Sequence, residues 1–201
     1  MIKNEILKLF PDPVLKYKLD DYKSFNKDLE KYIYNLYEED TKGIERSNKG
    51  GWHSKNFSLS EENSIQKKFA IKIQQYILDC FQNMGWKIKD KNIRIKEMWA
   101  IINKKDNFNV IHTHPNCYLS SAYYVKAPKN CGGFIAENPN IAKRYAYPEI
   151  ANKNELNVEV ARIEIEEGDL LLFPSYLPHK VGKNKSGEDR KVISFNVDIK
   201  N

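Results

Sequence analysis

Near residue 92 the hydrophobic period of this 201-residue chain changes from about 3.6 to 2, and that change most limits what it can fold into. A 3.6 period buries one stripe of a helix, whereas strict alternation buries one face of a strand. Upstream, "DYKSFNKDLEKYIYNLYEED" sets Phe25, Leu29, Tyr32, Ile33, Leu36 and Tyr37 at helical spacing. Ile65, Phe69, Ile73, Tyr76, Ile77, Cys80 and Phe81 form a second stripe, which Gly85 stops. Before it, "SLSE" at 58–61 predicts a capping box, with Ser58 capping and Glu61 reaching back. Between the stripes lies the polar, Gly-rich "SNKGGWHSKN", carrying Trp52 and His53. Downstream come "IRIKEMWAII", "FNVIHTH", "LSSAYYVKAP", "GGFIAENP", "VEVARIEIEEGD", "LLLFPSYLPHKV" and "RKVISFNVDI", broken by Gly, Pro, Asn and Asp. The expectation is one domain over 1–201, mainly β with supporting helices. Residues 1–90 form a mostly helical support and 91–201 a sandwich or jelly roll. Residues 138–157 have no clear period, and a loop of that length in a compact domain is functional or mobile.

Composition removes several function classes. The net charge is +6, but the lysines alternate with aspartates and glutamates, so no basic helix face forms and nucleic acid is not supported as a partner. No apolar run reaches the 18 residues a membrane span needs, and "MIKNEILKLFPDPV" interrupts any signal-peptide core with Glu5 and two prolines. The three cysteines, Cys80, Cys117 and Cys131, are odd in number and lack C-x-x-C spacing. That pattern fits a reducing compartment and excludes a disulfide framework, so the expected location is cytoplasmic.

"VIHTHPN" puts His112 and His114 two apart in a chain of four histidines. On a strand they share a face and could share a metal, although ordinary alternation produces the same pair. A metal site needs another ligand from a distant segment. His53 sits in the Gly-rich loop. His179, about 65 residues beyond His114, follows a buried strand and a Pro-rich bend in "GDLLLFPSYLPHKV", and Arg190 opens the last strand shortly after.

With HxHP, YYV and FPSxLxH in place, residues 99–198 resemble the Fe(II)- and 2-oxoglutarate-dependent oxygenases, most closely an uncharacterised branch of them. "YYV…GG" and "PHxV" are also similar to the prolyl hydroxylases. The resemblance implies a double-stranded β-helix (jelly roll) that binds Fe(II) and takes 2-oxoglutarate as co-substrate. O2 and an organic substrate of unknown identity would complete the reaction, a hydroxylation that releases succinate and CO2. It implies metal ligands at His112, His114 and His179, with His114 standing where the family has Asp or Glu. It also implies that Arg190 anchors the 5-carboxylate of 2-oxoglutarate, helped by Tyr124, Ser194 and Ser120, with Ile135 as apolar wall. Asn103, Asn109 and Asn196 are candidate polar groups of the pocket, and Cys117 could approach the metal. The segment 138–157, with Arg144, Tyr145 and Tyr147, is a candidate cover. Two other functions fit the residues: a cupin-like three-histidine dioxygenase or isomerase without 2-oxoglutarate, or a non-catalytic binding jelly roll. Oligomeric state is open, a homodimer included.

Overall fold

Two sheets face each other in the computed structural model, which describes residues 5–145 and 148–200. With strands numbered along the chain, the six-stranded sheet runs β1 (Leu15–Lys18), β9 (Asp169–Pro174), β6 (Leu119–Lys126), β11 (Arg190–Lys200), β4 (Asn92–Asn103), β3 (Trp52–His53). The five-stranded sheet runs β2 (Asn48–Lys49), β5 (Phe108–His112), β10 (His179–Val181), β7 (Phe134–Glu137), β8 (Val160–Ile163). The pairings are antiparallel and join strands far apart in sequence. The fold is the jelly roll expected from the period-two half.

Helices α1 (Tyr22–Glu39) and α2 (Ile65–Asn83) cover the outer face of the six-stranded sheet. The predicted stripes supply the contact: Leu29 and Ile33 from α1, and Phe69, Ile73 and Ile77 from α2, pack on Tyr123, Ile193 and Phe195. Each such side chain contributes about 1.5–3 kcal/mol by leaving water. Phe69→Ala would break this layer most directly, since an aromatic removed from a closed core costs about 3–5 kcal/mol. The end of α2 follows its sequence signal. Gly85 adopts φ +67°, the Gly85 N–H donates to Gln82 O, and the Trp86 N–H donates to Phe81 O. Those two bonds satisfy the last carbonyls in a Schellman motif.

The start of α2 corrects the capping prediction. The cap is Ser64, whose hydroxyl accepts the Lys67 N–H, and Ser58 lies six residues too early. The N-terminal half is also less helical than its period suggests. Its residues add β1 to one edge of the six-stranded sheet, β3 to the other edge, and β2 to the five-stranded sheet. The apolar run through 170–181 splits at the Pro174–Pro178 bend, giving β9 to one sheet and β10 to the other. That split carries His179 across to the strand beside β5.

Candidate metal centre and co-substrate pocket

The strand register brings the histidines together. In the β5–β10 pair His179 lies directly opposite His112, and His114 follows two residues past His112. The three rings are 4.3–5.2 Å apart between centroids, and one ligand atom from each lies within 4.8 Å of the others. Among the described residues no carboxylate or thiolate joins this group.

The chemistry of the donors suits a divalent metal. His112 Nδ1 is 2.8 Å from the Val110 carbonyl and His179 Nδ1 is 2.9 Å from the Leu177 carbonyl. A carbonyl only accepts, so both Nδ1 atoms carry the proton and both Nε2 atoms keep a free lone pair. The Ser47 hydroxyl lies 3.4 Å from His112 Nε2, and Asn109 Nδ2 donates to that hydroxyl at 3.1 Å. Burial holds all three imidazoles below their ordinary basicity, with neighbouring histidines adding to the shift at two of them. His114 falls to about 4 and His179 to about 3. All three are therefore neutral at pH 7, the state that ligates Fe(II). A stack of rings fixes the planes of His114 and His179, with His112 tilted across both: Phe134 on His179 (5.1 Å, 15°), His179 on His114 (5.2 Å, 7°), His114 on Trp99 (5.9 Å, 21°) and Trp99 on His53 (5.5 Å, 10°).

A cavity of about 680 Å³ runs between the sheets past these rings. The register of β4 with β11 builds one wall in layers: Arg190 opposite Asn103, Val192 opposite Ile101, Ser194 opposite Trp99, and Asn196 opposite Glu97. Arg190 is fully buried. Its Nη1 donates to the carbonyls of Cys131, Gly132 (3.1 Å) and Gly182 (3.0 Å), while Nε and Nη2 have no partner. Among the described residues no carboxylate pairs with it. Gly132, at φ +80°, is required for this cradle, because a Cβ there would lie 2.2 Å from the Gly182 carbonyl oxygen. Tyr124 is buried beside β11, opposite Val192. Burial raises its phenol pKa, and the nearby Arg190 charge offsets part of the rise. Ser194 and Asn103 are buried in the same wall, and neither polar atom of the Asn103 amide has a partner.

Several expected residues lie elsewhere. Ile135 does not line the pocket: Ala136 is the register partner of inward-facing His179, so Phe134 and Ala136 share that face and Ile135 turns away with Lys180. Phe134 is the apolar wall instead. Ser120 is buried, but its hydroxyl donates to Asn196 Oδ1 at 2.9 Å. It lies level with Asn196, six residues along β11 from Arg190 or roughly 20 Å, too far to share a carboxylate with it. Cys117 Sγ donates to the His114 carbonyl at 3.3 Å and stays outside the histidine group. Within 138–157 a short 3-10 turn spans Ile141–Tyr145, Tyr145 is exposed, and no described residue of the segment lines the cavity. Tyr147 and the side chain of Arg144 lie outside the described residues. Trp99 and Ser47 are site residues that the motifs missed. Alternation from Asn103 back along β4 points to Trp99, whereas nothing local points to Ser47.

The comparisons agree with this geometry. A family model described as "Putative 2OG-Fe(II) oxygenase" matches residues 97–196. No curated protein sequence matches the chain. Among solved structures, the prolyl-4-hydroxylase of Pseudomonas putida is similar over 92% of both chains (TM-score 0.63, 14% identity). HygX from Streptomyces hygroscopicus, with nickel, 2-oxoglutarate and hygromycin B bound, is similar over 93% of this chain and 83% of its own (TM-score 0.65, 11% identity). A Trichoplax adhaerens prolyl hydroxylase, in complex with a peptide fragment of hypoxia inducible factor, is similar over 92% and 83% (TM-score 0.65, 16% identity). At these identities the structures establish the double-stranded β-helix, while the family match covers the strands that carry the histidines and Arg190. The chain belongs to the Fe(II)- and 2-oxoglutarate-dependent oxygenases, enzymes that use Fe(II), 2-oxoglutarate and O2 on an organic substrate.

Proposed function

We propose that His112, His114 and His179 hold the Fe(II), that Arg190 binds the 5-carboxylate of 2-oxoglutarate, and that the reaction is hydroxylation of a substrate C–H bond. The observation that carries this reading is Arg190. A fully buried guanidinium with two unpartnered nitrogens and no acidic neighbour costs several kcal/mol unless an anion joins it. From Gly182, which cradles Arg190, the chain reaches His179 in three residues, about 10 Å of strand. A dicarboxylate anchored at Arg190 therefore extends back toward the histidines. A three-histidine enzyme with no use for an anion leaves Arg190 without a reason.

Held by His112, His114 and His179, an Fe(II) would supply the coupling of oxidative decarboxylation of 2-oxoglutarate, to succinate and CO2, with oxidation of the substrate. The protein binds, orients and shields. Leu177 and Val110 fix two imidazole tautomers, and Trp99 and Phe134 hold the ring planes. Arg190 offers its free edge to one carboxylate, with Tyr124 and Ser194 supplying hydroxyls along the same wall. Ile101 and Val192 keep water from the middle of the cavity. The free thiols Cys80, Cys117 and Cys131 favour a reducing compartment, and we assign the protein to the cytoplasm. Strands from the N-terminal half in both sheets favour one domain over 1–201.

Anaerobic addition of Fe(II) and 2-oxoglutarate should produce a weak visible charge-transfer band that His112→Ala or His179→Ala abolishes while the protein stays folded. No band in the parent protein would sink the 2-oxoglutarate assignment. A band retained in either variant would sink the ligand assignment.

A further inference from the structure

The Gly-rich stretch between the helices reaches the metal centre through Ser47 and through His53, which stacks on Trp99, and supplies no metal ligand. Its two short strands join different sheets, β2 pairing with β5 and β3 with β4, while the Ile44 N–H donates to His53 O and the Val110 N–H donates to Ser47 O, both at 2.9 Å. That places Arg46, Ser47, His53 and Lys55 in the cavity wall. Three cations, Arg46, Lys55 and Lys96, line the cavity on segments that carry or adjoin its histidines. Arg46 precedes Ser47, the hydroxyl at His112 Nε2, and its charge adds to burial in holding His53 below its ordinary basicity. Lys55 follows two residues after His53. Lys96 Nζ donates to the Asn116 carbonyl at 2.9 Å, in the turn that follows His114.

Little opposes these charges. Glu97 is the one carboxylate among the residues described in the cavity wall, and it accepts from Asn196 Nδ2 at 3.2 Å. Among the described residues Arg46 and Lys96 form no ion pair. Lys55 meets Asp40 at 3.3 Å, but the lysine is open to water, so the pair is weak. Trp99 adds an unpaired indole N–H to the same wall. Guanidinium, ammonium and indole groups only donate, so what complements them must accept. The centre points the same way. Three neutral imidazoles leave a divalent metal to be balanced by the co-substrate dianion alone, one negative charge fewer than with a carboxylate ligand. An anion approaching this centre therefore meets less repulsion.

We propose that the organic substrate carries an anionic group, a carboxylate or a phosphate, that docks on Arg46 and Lys96 with Lys55 at the rim, while its reacting carbon faces the three histidines. The proposal rests on the iron and 2-oxoglutarate reading above, so the experiment checks that first. Binding of 2-oxoglutarate to the nickel(II)-loaded protein is measured by calorimetry; failure there overturns the iron reading, and the anion titrations are then run in Arg190→Ala. With 2-oxoglutarate saturating and ionic strength fixed, inorganic phosphate, acetate and the neutral acetamide are each titrated while tryptophan emission is followed. At least one of the two anions should change the emission and acetamide should not; the stronger of them identifies a phosphate or a carboxylate as the natural group. Arg46→Ala should raise the half-saturating concentration about threefold or more, and Arg46→Ala/Lys96→Ala about tenfold or more. Arg46→Lys should recover part of the loss. Equal curves for parent and double variant, or acetamide matching the anions, would overturn the proposal.

Discussion

The six-stranded sheet has one face under helices and one face on the cavity, and the two treat buried polar groups in opposite ways. Consecutive residues of β11 show it. Lys191 turns to the helices, is almost fully buried, binds Glu30, and sits 4.0 Å over the Tyr34 ring. Arg190 turns to the cavity, equally buried, and leaves two nitrogens unpartnered. The same holds for amides. Asn26, under the helices, donates to Val125 O at 2.8 Å and accepts the Tyr123 hydroxyl, whereas Asn103 on the cavity face bonds through neither side-chain atom. Trp99 Nε1 is a further orphan of the cavity side. Folded proteins rarely leave buried polar atoms unpaired, and among the described residues those without a hydrogen bond line the cavity, apart from Asp169 Oδ1, which meets Lys18 at 2.7 Å; the proposed ligand gives the cavity set its partners.

The two adjacent cations give the sharpest way to break this contrast. Arg190→Ala should weaken 2-oxoglutarate by about 3–5 kcal/mol, roughly two to three and a half orders of magnitude in affinity, and leave iron binding nearly unchanged. Arg190→Lys should recover only part, because it keeps the charge and loses the planar fork. Anaerobic titration of the iron-loaded proteins measures both, and coincident curves would mean that Arg190 holds no ligand.

A smaller effect is expected at His114, which the proposed ligand set places at the metal. His114→Ala should weaken Fe(II) by more than the roughly 10- to 100-fold typical of residues that only orient ligands. His114→Asp should bind at least as well as the parent, since it gives the proposed ligand set a charged donor. Competition against a chromophoric chelator reads both, and an alanine variant equal to the parent would remove His114 from the metal.

On the helix side the expected losses are in stability. Lys191→Ala strands Glu30, and because that carboxylate is a third exposed the cost should be about 2 kcal/mol, below the range for a fully buried pair. A chain of this size then loses about 4–8 °C in Tm. The affinity for 2-oxoglutarate should stay within twofold. A large change in that affinity would mean that the two faces are coupled.

What the sequence revealed follows the same division. The alternation in β4, β6 and β11 was legible because each strand has one mostly apolar face, interrupted only by Ser121 and Lys191, and the two helical stripes because they press on that face. His112, His114 and His179 could be found because a strand's period of two and a distal partner are local signals. The parity of β7 was not legible: "GGFIAEN" is apolar at both Phe134 and Ile135, and only pairing with β10 decides which turns inward. Nor were β1, β2 and β3, since two- and four-residue strands exist through partners more than 40 residues away. Ser58 and Ser64 both precede the α2 stripe, and only the position of the first helical turn selects Ser64.

The smallest expected effect tests the comparison most directly, because it predicts near silence from a fully buried substitution. Asn26→Ala removes an amide that serves two partners and leaves the Val125 carbonyl and the Tyr123 hydroxyl unpaired, at a cost of about 1–2 kcal/mol. Asn103→Ala removes an amide with no partners. Its backbone carbonyl still accepts from Asn184 at 2.8 Å, and the vacated volume opens onto a cavity already present. The change should therefore stay within about 0.5 kcal/mol in urea unfolding of the metal-free protein. Adding Fe(II) and 2-oxoglutarate should then separate parent from variant. If Asn103 lies in the co-substrate wall, ligand-induced stabilisation is smaller in Asn103→Ala than in the parent, and unchanged in Asn26→Ala. Equal destabilisation of the two variants without ligand would show that Asn103 has a structural partner, and the distinction between the faces would fall with it.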